Sequence, residues 1–198
     1  MIDAFLFDIG RVIVQFDFDL IYRRLEPLAG RPLTGVAQQI APMLIPLETG
    51  QLTAADFVQQ ATALIGGGVT EHDFATAYME IFTPNEPMWR TVERVASKVP
   101  VYLFSNISAL HEIWLLKEYD VFQHFKGGLF SWRCGSMKPD DEIYRQGLEL
   151  LGVPAERIGY VDDLEPNIAT GRRFGFQSHL YNMADHAAFE DFLTLHSL

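Results

Sequence analysis

Four short polar motifs, each at the end of an apolar run or in the loop after one, constrain the fold of this chain more than any other feature. The motifs are Asp8-Ile9-Gly10, Ser105-Asn106, Lys138-Pro139 and Asp162-Asp163. Short continuous apolar runs bounded by turn signals are typical of buried parallel strands. Ligands bind outside the carboxyl ends of such strands. The sequence therefore predicts that residues from distant parts of the chain meet at one edge of a sheet.

Apolar strand-like segments alternate with helical segments through most of the chain. Strands are predicted at 4–7, 101–104, 128–131, 158–161 and 176–180, and helices at 86–97, 108–118, 140–151, 165–174 and 186–195. Such an alternation is typical of parallel strands joined by right-handed helical crossovers. The predicted fold class is α/β, with a Rossmann-like parallel sheet core, helices on both faces and an inserted helical cap.

The insertion is the segment 15–85, whose pattern is helical rather than alternating. Breaks rich in glycine and proline divide it into four helices, and Thr53 and Thr70 are candidate N-caps. The predicted organisation is an α/β core domain formed by 1–14 and 86–198 and a four-helix cap domain formed by 15–85. A cap of this kind excludes water and selects the substrate.

Composition narrows the function classes. The chain has 198 residues, 48% of them hydrophobic, and a formal net charge of −11 without a basic cluster, which disfavours a nucleic-acid partner. One cysteine, no apolar run of membrane-spanning length and no basic leader predict a cytoplasmic protein without a membrane partner. The sequence leaves monomer and homodimer equally open.

Each motif has an ordinary structural reading as well as a chemical one. Asp8 suits a turn after a strand, Ser105 or Ser108 suits a helix N-cap, and Lys138 suits a solvated lysine before a helix. A cation at a helix N-terminus opposes the helix dipole, however, which favours a functional reason for Lys138. Adjacent carboxylates at Asp162 and Asp163 repel each other, which is costly unless a cation or separate hydrogen bonds intervene.

In this order the motifs resemble those of the haloacid dehalogenase superfamily of Asp-based phosphohydrolases. The residues that carry the resemblance are Phe7-Asp8-Ile9-Gly10-Arg11-Val12 and the pattern Gly135-x-x-Lys138-Pro139-Asp140-x-x-Ile143-Tyr144. The Asp-x-Gly form of the first motif is similar to a phosphatase-like branch that includes sugar-phosphate phosphatases.

The resemblance implies a role for each motif. Asp8 would be the nucleophile that forms an aspartyl-phosphate, and Lys138 would neutralise both the nucleophile and the phosphate. Ser105 and Asn106 would bind the phosphate. Mg²⁺ would be held directly by Asp8, the main-chain carbonyl of Gly10 and Asp163, and through water by Asp162. Phosphate and water would fill the remaining three positions of the octahedron that Mg²⁺ prefers.

One residue departs from the superfamily pattern. Gly10 stands where many of these phosphatases place an aspartate that protonates the leaving oxygen and then activates water. Such a group is typically worth ~10²–10⁴ in rate, about 3–5 kcal/mol of barrier. Gly10 keeps its carbonyl, so metal binding is expected to survive. For the neighbouring Arg11, a surface position is favoured slightly over an approach to the substrate phosphate.

These implications predict a magnesium-dependent phosphatase acting on a small phosphorylated metabolite, with a sugar phosphate as one candidate. The alternative is a catalytically weakened or inactive phosphate- or metabolite-binding protein of the same fold. A 2-haloacid dehalogenase ranks lower, because those relatives act without magnesium and the pair Asp162-Asp163 suits a metal. A phosphomutase is disfavoured, since it needs the acid and base that Gly10 lacks.

Overall fold

A computed structural model describes residues 1–198 and contains one five-stranded sheet. All neighbouring strands of this sheet are parallel, in the order β5-β4-β1-β6-β7. The strands are β1 (Ala4–Phe7), β4 (Val101–Ser105), β5 (Gly128–Phe130), β6 (Ile158–Asp162) and β7 (Gln177–Leu180). The predicted parallel α/β sheet is confirmed.

Helices cover both faces of the sheet, as predicted. They are α5 (Glu86–Ala96), α6 (Ala109–Glu118), α7 (Ser131–Cys134), α8 (Asp141–Leu151), α9 (Glu165–Phe174) and α10 (His186–Leu195), with short 3-10 turns at 120–124, 155–157 and 183–185. Successive side chains of a strand point to opposite faces. Phe5 and Phe7 accordingly pack in a cluster with Val92 of α5 and Phe189 of α10, whereas Leu6 packs in another.

The register of the central strands brings the predicted site together. Phe7, the last residue of β1, lies opposite Leu103 of β4 and Val161 of β6. The carboxyl ends of the three strands therefore lie side by side. β4 and β6 each extend one residue beyond the predicted end, so that Ser105 and Asp162 are the last residues of their strands.

The segment inserted after β1 forms four helices, as predicted. They are α1 (Asp19–Ala29), α2 (Val36–Glu48), α3 (Ala54–Ile65) and α4 (Glu71–Met79). Thr53 and Thr70 accept the hydrogen bonds of helix N-caps, which confirms both predicted caps. The four helices enclose an apolar cluster of 15 buried residues that is separate from the clusters on the sheet.

A two-stranded antiparallel sheet joins this helical segment to the rest of the chain. It pairs β2 (Val14–Phe16) with β3 (Phe82–Pro84), where the chain enters and leaves the helices. The sequence did not predict it, because strands of three residues are too short to show a period-two pattern. The boundary at 15–85 stays a prediction. None of the helices has both the length and the apolar character that a membrane span requires.

Candidate active site

A pocket of about 300 Å³ opens at the carboxyl edge of the sheet. Its walls come from β2, from the carboxyl end of β4, from the loops after β1, β4 and β6, from the start of α9 and from the segment between α7 and α8 that carries Lys138. The lining residues are Asp8, Gly10, Arg11, Phe16, Ser105, Asn106, Lys138, Asp163, Leu164 and Asn167. The structure thus brings six of the seven predicted site residues to one pocket. The seventh, Asp162, lies fully buried behind it.

Lys138 is the centre of the charged contacts. Its side chain is 1% exposed, and Nζ donates to Oδ1 of Asp8 at 2.9 Å, to Oδ2 of Asp162 at 2.5 Å and to the carbonyl of Phe104 at 2.7 Å. An ammonium has three protons to donate, so all are used. Burial disfavours the charge, but Asp162 and Asp8 outweigh it and raise the pKa of Lys138 above its usual value. Lys138 is therefore a fixed cation beside Asp8.

Asn106 holds the backbone of Lys138 in place. Its Oδ1 accepts from the Lys138 amide and its Nδ2 donates to the Lys138 carbonyl, both at 2.8 Å. The residue borders the pocket, as expected, but both polar atoms of its side chain are engaged with the protein. One amide proton is left to face a substrate. The contacts make Asn106 mainly a positioning residue for Lys138.

Asp162 has no lone pair left for a metal or a metal-bound water. Oδ1 accepts from the Leu164 amide at 2.9 Å and from Nδ2 of Asn167 at 3.0 Å. Oδ2 accepts from Lys138 and from the Tyr160 hydroxyl, the latter at 2.7 Å. A carboxylate offers about four acceptor sites. This geometry departs from the expected water-mediated metal contact and makes Asp162 the support of Lys138 and of the loop after β6.

Asp163 and Gly10 have the free oxygens that Asp162 lacks. No other residue donates a hydrogen bond to the half-buried carboxylate of Asp163, and the Gly10 carbonyl accepts none. Carboxylate oxygens of Asp8, Asp162 and Asp163 lie within 4.8 Å of one another. The free oxygens of Asp8, Asp163 and Gly10 are hard donors of the kind that Mg²⁺ prefers. The residues present fit the ion, and the direct contact of Asp163 with it stays a prediction.

The raised pKa values of Asp8 and Asp163 also favour a bound cation. Burial raises the pKa of Asp8 to about 7, and the charges of Asp162 and Asp163 add to the rise against the opposing effect of Lys138. Burial, followed by Asp162, also raises the pKa of Asp163. Three carboxylates face two cations, the Lys138 ammonium and the Arg11 guanidinium that acts on Asp163, which leaves an excess of negative charge. A divalent cation would compensate that excess and favour both carboxylates in their ionised form.

Ser105 and Ser108, at and after the end of β4, have different roles. The sequence left open which of them caps the next helix. Ser108 accepts from the His111 amide and is the N-cap of α6. Ser105 forms no side-chain hydrogen bond with another residue, although it is almost wholly buried and borders the pocket. A hydroxyl with unused hydrogen-bonding capacity at a strand end suits a phosphoryl oxygen. The N-cap reading therefore belongs to Ser108.

Arg11 and Phe16 line the pocket beside Gly10. Arg11 is exposed, in agreement with the slight preference for a surface position, and its side chain also lines the pocket. Its guanidinium lies over the Phe16 ring, 5.4 Å from the centroid. A Cβ added to Gly10 would stand 3.0 Å from Cε1 of Phe16. The space beside Gly10 that an aspartate side chain would enter is therefore occupied by the aromatic ring.

Sequence reasoning missed Tyr160 altogether. This residue is in the middle of an apolar run, so the run predicts only a buried ring. Its hydroxyl, however, reaches Asp162 two residues further along the same strand face. That i, i+2 relation is the signal that could have revealed it. Asn167, in the first turn of α9, donates to Asp162 and so orients the loop after β6.

Comparison with known proteins agrees with this geometry. Residues 2–175 match the family model of haloacid dehalogenase-like hydrolases. The chain belongs to this family. Among curated proteins, the D-ribitol-5-phosphate phosphatase of Bacteroides thetaiotaomicron is 28% identical over 196 residues, which cover 90% of this chain and 91% of that protein. As a member of this family, the protein is a hydrolase.

Solved structures of the family share its fold. A haloacid dehalogenase family enzyme of Bacteroides thetaiotaomicron, in complex with magnesium and inorganic phosphate, superposes with a TM-score of 0.78 at 20% identity, covering 92% of this chain and 96% of its own. The L-2-haloacid dehalogenase of Xanthobacter autotrophicus superposes with a TM-score of 0.64 at 18% identity, covering 90% and 76%. At these identities the likeness confirms the fold.

Proposed function

We propose that this protein is a magnesium-dependent phosphatase that hydrolyses a small phosphorylated metabolite, a phosphate ester of a sugar or sugar alcohol, through an aspartyl-phosphate on Asp8. One observation carries the proposal. The Asp8 carboxylate stands 2.9 Å from the fixed Lys138 ammonium in a pocket that also presents the free Ser105 hydroxyl and the Asp163 carboxylate. A nucleophile, two groups for phosphoryl oxygens and a metal ligand thus share one small space.

Two relatives support the choice of substrate and cofactor. The curated relative named above acts on D-ribitol 5-phosphate, a sugar alcohol phosphate, and its match runs over almost the whole of both chains. The structural neighbour from the same organism was solved with magnesium and inorganic phosphate. We infer that a small polyol or sugar phosphate, rather than a macromolecule, fits a pocket of about 300 Å³.

Asp8, the Gly10 carbonyl and Asp163 would hold Mg²⁺. When bound, the ion supplies positive charge that draws the phosphate against Asp8 and offsets the surrounding carboxylates. Asp162 is assigned to holding Lys138 rather than to the ion, since its acceptor sites are occupied by protein donors. This revises the ligand set expected from the sequence.

The residues then act in two steps. An oxygen of Asp8 forms a bond to phosphorus while the bond from phosphorus to the leaving oxygen breaks, which gives the aspartyl-phosphate. Lys138 and Ser105 stabilise the charge on the remaining phosphoryl oxygens. In the second step a water oxygen bonds to phosphorus while the bond between phosphorus and the Asp8 oxygen breaks. Inorganic phosphate leaves, the protons of the water stay on phosphate or pass to solvent, and the Asp8 carboxylate is restored.

Proton transfer is the weak point of this scheme. Gly10 offers no acid for the leaving oxygen and no base for the attacking water. Without another group in that place, the enzyme should favour leaving groups that need little protonation, such as anomeric hydroxyls, and the aspartyl-phosphate should accumulate. Comparable rates for leaving groups of very different pKa, with no initial burst, would contradict this expectation.

The experiment is a phosphate-release assay with a panel of phosphorylated metabolites, with and without magnesium. The panel includes ribitol 5-phosphate, ribose 5-phosphate and glucose 1-phosphate. The parent protein is compared with Asp8→Asn and with the control Asp191→Asn, an exposed aspartate of α10. We expect magnesium-dependent release by the parent and the control, and a loss of more than roughly 10³-fold in Asp8→Asn.

The same assay separates the alternatives. Equal background rates for the parent and Asp8→Asn, with phosphate still bound, would favour the binding protein. Halide release from 2-haloacids without magnesium would favour the dehalogenase. Either result would overturn the phosphatase assignment.

A further inference from the structure

Arg11 is the one arginine of eleven whose guanidinium forms neither a hydrogen bond nor an ion pair within the protein. The others are paired with carboxylates or with main-chain carbonyls. A guanidinium carries five donors in a rigid plane and is the usual residue for binding anionic oxygens. An arginine that has no protein partner and lines the phosphate pocket is available for the substrate.

The backbone at Arg11 is held in an unfavourable conformation. Its φ is 54°, in the left-handed region, and its amide donates to the Val14 carbonyl at 2.6 Å. For an L-residue this region costs about 1–2 kcal/mol relative to the right-handed one. Ser197, near the end of the chain, is the only other residue besides glycines with a positive φ. Such outliers persist only where the surrounding structure holds them in place, and they are found most often at functional sites.

Phe16 fixes where the guanidinium stands. The cation lies over the ring at 5.4 Å from the centroid, and the same ring fills the space beside the Gly10 Cα. The resemblance to the superfamily implies that the leaving oxygen lies beside the position of Gly10. Arg11 and Phe16, which line the pocket next to Gly10, therefore border the place of the leaving group.

We propose that Arg11 is a catalytic residue that donates hydrogen bonds to the leaving oxygen of the substrate. This inference rests on the proposed function and deepens it. As the phosphorus–oxygen bond breaks, the electron pair stays on the substrate oxygen, and the guanidinium stabilises the negative charge that develops there. The oxygen then takes its proton from solvent water. Arg11 thus stabilises the negative charge that an acid at position 10 would neutralise. It does not replace the proton transfer, since an arginine keeps its proton at neutral pH.

The inference predicts a selective effect of leaving-group chemistry. An alkyl phosphate, whose leaving oxygen becomes strongly basic, needs the guanidinium. A nitrophenyl phosphate, whose leaving oxygen is stable as an anion, does not. Removing one donor to a developing oxyanion typically costs ~10²–10³ in rate.

The test measures kcat/KM for ribitol 5-phosphate and for 4-nitrophenyl phosphate in the parent, Arg11→Met and Arg11→Lys. Arg90→Met is the matched control, because Arg90 is exposed on α5 and pairs only with Glu86 at 3.9 Å. In Arg11→Met we expect a loss of ~10²-fold or more for the alkyl ester and less than about tenfold for the aryl ester. Arg11→Lys should recover part of the alkyl activity, and thermal unfolding shows whether each variant is folded.

Binding of inorganic phosphate with magnesium, followed by calorimetry, gives a second readout. We expect it to be the same in Arg11→Met and the parent, because inorganic phosphate has no leaving group. Equal losses for both esters, or weaker phosphate binding, would place Arg11 on the phosphoryl group and overturn the inference. If the parent releases no more phosphate than Asp8→Asn, the proposed function fails first. If the parent is active and only the selectivity is missing, the Arg11 inference alone fails.

Discussion

The two sides of the pocket are built in opposite ways. On the Lys138 side the ammonium is 1% exposed and uses all three protons, and Asp162 accepts four hydrogen bonds. On the Arg11 side the guanidinium is exposed and contacts an aromatic ring without a hydrogen bond. We call the Lys138 side the fixed side, because protein contacts hold its charged groups. We call the Arg11 side the open side, because the donors of its guanidinium are free.

This difference between the two sides matches the two parts of a substrate, the phosphoryl group and the leaving group. A phosphoryl group is the same in every substrate, so a rigid arrangement on that side stabilises the charge without reorganisation. The leaving group differs between substrates, and a cation with unused donors suits that side. Substitutions and changes of pH should therefore affect the Lys138 side more strongly than the Arg11 side.

Replacing Lys138 should harm both folding and activity. Lys138→Met leaves Asp8 and Asp162 buried without their cation, which typically costs about 3–5 kcal/mol of unfolding free energy. Phosphate release should fall below about a thousandth of the parent rate. Urea unfolding and the phosphate assay measure the two effects.

Arg11→Met, on the open side, should change the unfolding free energy by less than about 1 kcal/mol. Similar losses in the two variants would remove the distinction between the sides.

Tyr160→Phe should weaken the fixed side without removing a charge. It deletes the hydroxyl that donates to Asp162 at 2.7 Å, and a hydrogen bond to a charged group is worth about 1.5–3 kcal/mol. The loss should appear in urea unfolding. The control is Tyr102→Phe, whose hydroxyl forms no hydrogen bond in the structure and should matter little. An unchanged unfolding free energy in Tyr160→Phe would mean that Asp162 does not depend on its protein donors.

On the fixed side, ionisation of Asp8 should make magnesium binding depend on pH. The pKa of Asp8 is raised from 3.8 to about 7, so without metal the folded protein holds a proton that the unfolded chain has released. The unfolding free energy of the metal-free protein should therefore fall as the pH rises from about 4 to about 7. Magnesium binds the ionised carboxylate, so its affinity should rise roughly tenfold between pH 6 and pH 8.

Calorimetric titration with magnesium at both pH values measures this dependence. Asp8→Asn should bind more weakly and without this increase. An affinity in the parent that does not change with pH would show that Asp8 is ionised throughout.

Gly10→Ala should have the smallest effect. The new Cβ would stand 3.0 Å from Cε1 of Phe16, so the ring must move by a few tenths of an ångström and carry the Arg11 contact with it. We expect a change in stability below about 1 kcal/mol and a loss of alkyl phosphate turnover of a few-fold. Phe16→Leu combined with Gly10→Ala relieves the close contact. An unchanged rate in Gly10→Ala would show that the position of Phe16 does not matter.

Much of the core and the principal site residues could be predicted because their signals are local. An apolar run ending in a polar residue predicts a parallel strand and its carboxyl end, and this located Asp8 and Ser105 correctly. The contacts that tune the site are not local. Asn106 holds a backbone 32 residues away, which no pattern within one segment reveals.

The Arg11 side was harder to predict for a different reason. A left-handed backbone at a non-glycine residue has no sequence signature, and the short β2–β3 pairing that brings Phe16 over Gly10 joins residues far apart in the chain. Composition and spacing therefore predict the fixed side of the pocket better than the open side. The open side depends on tertiary contacts formed by the inserted segment.

The central claim is that Asp8 receives the phosphoryl group. Its most direct test is to mix the protein with magnesium and ribitol 5-phosphate, stop the reaction in acid after the first turnovers, and identify the modified peptide by mass spectrometry. The account predicts one added phosphoryl group on the peptide that contains Asp8, and none in Asp8→Asn. Turnover with no phosphorylated Asp8, or with the group on another residue, would contradict it.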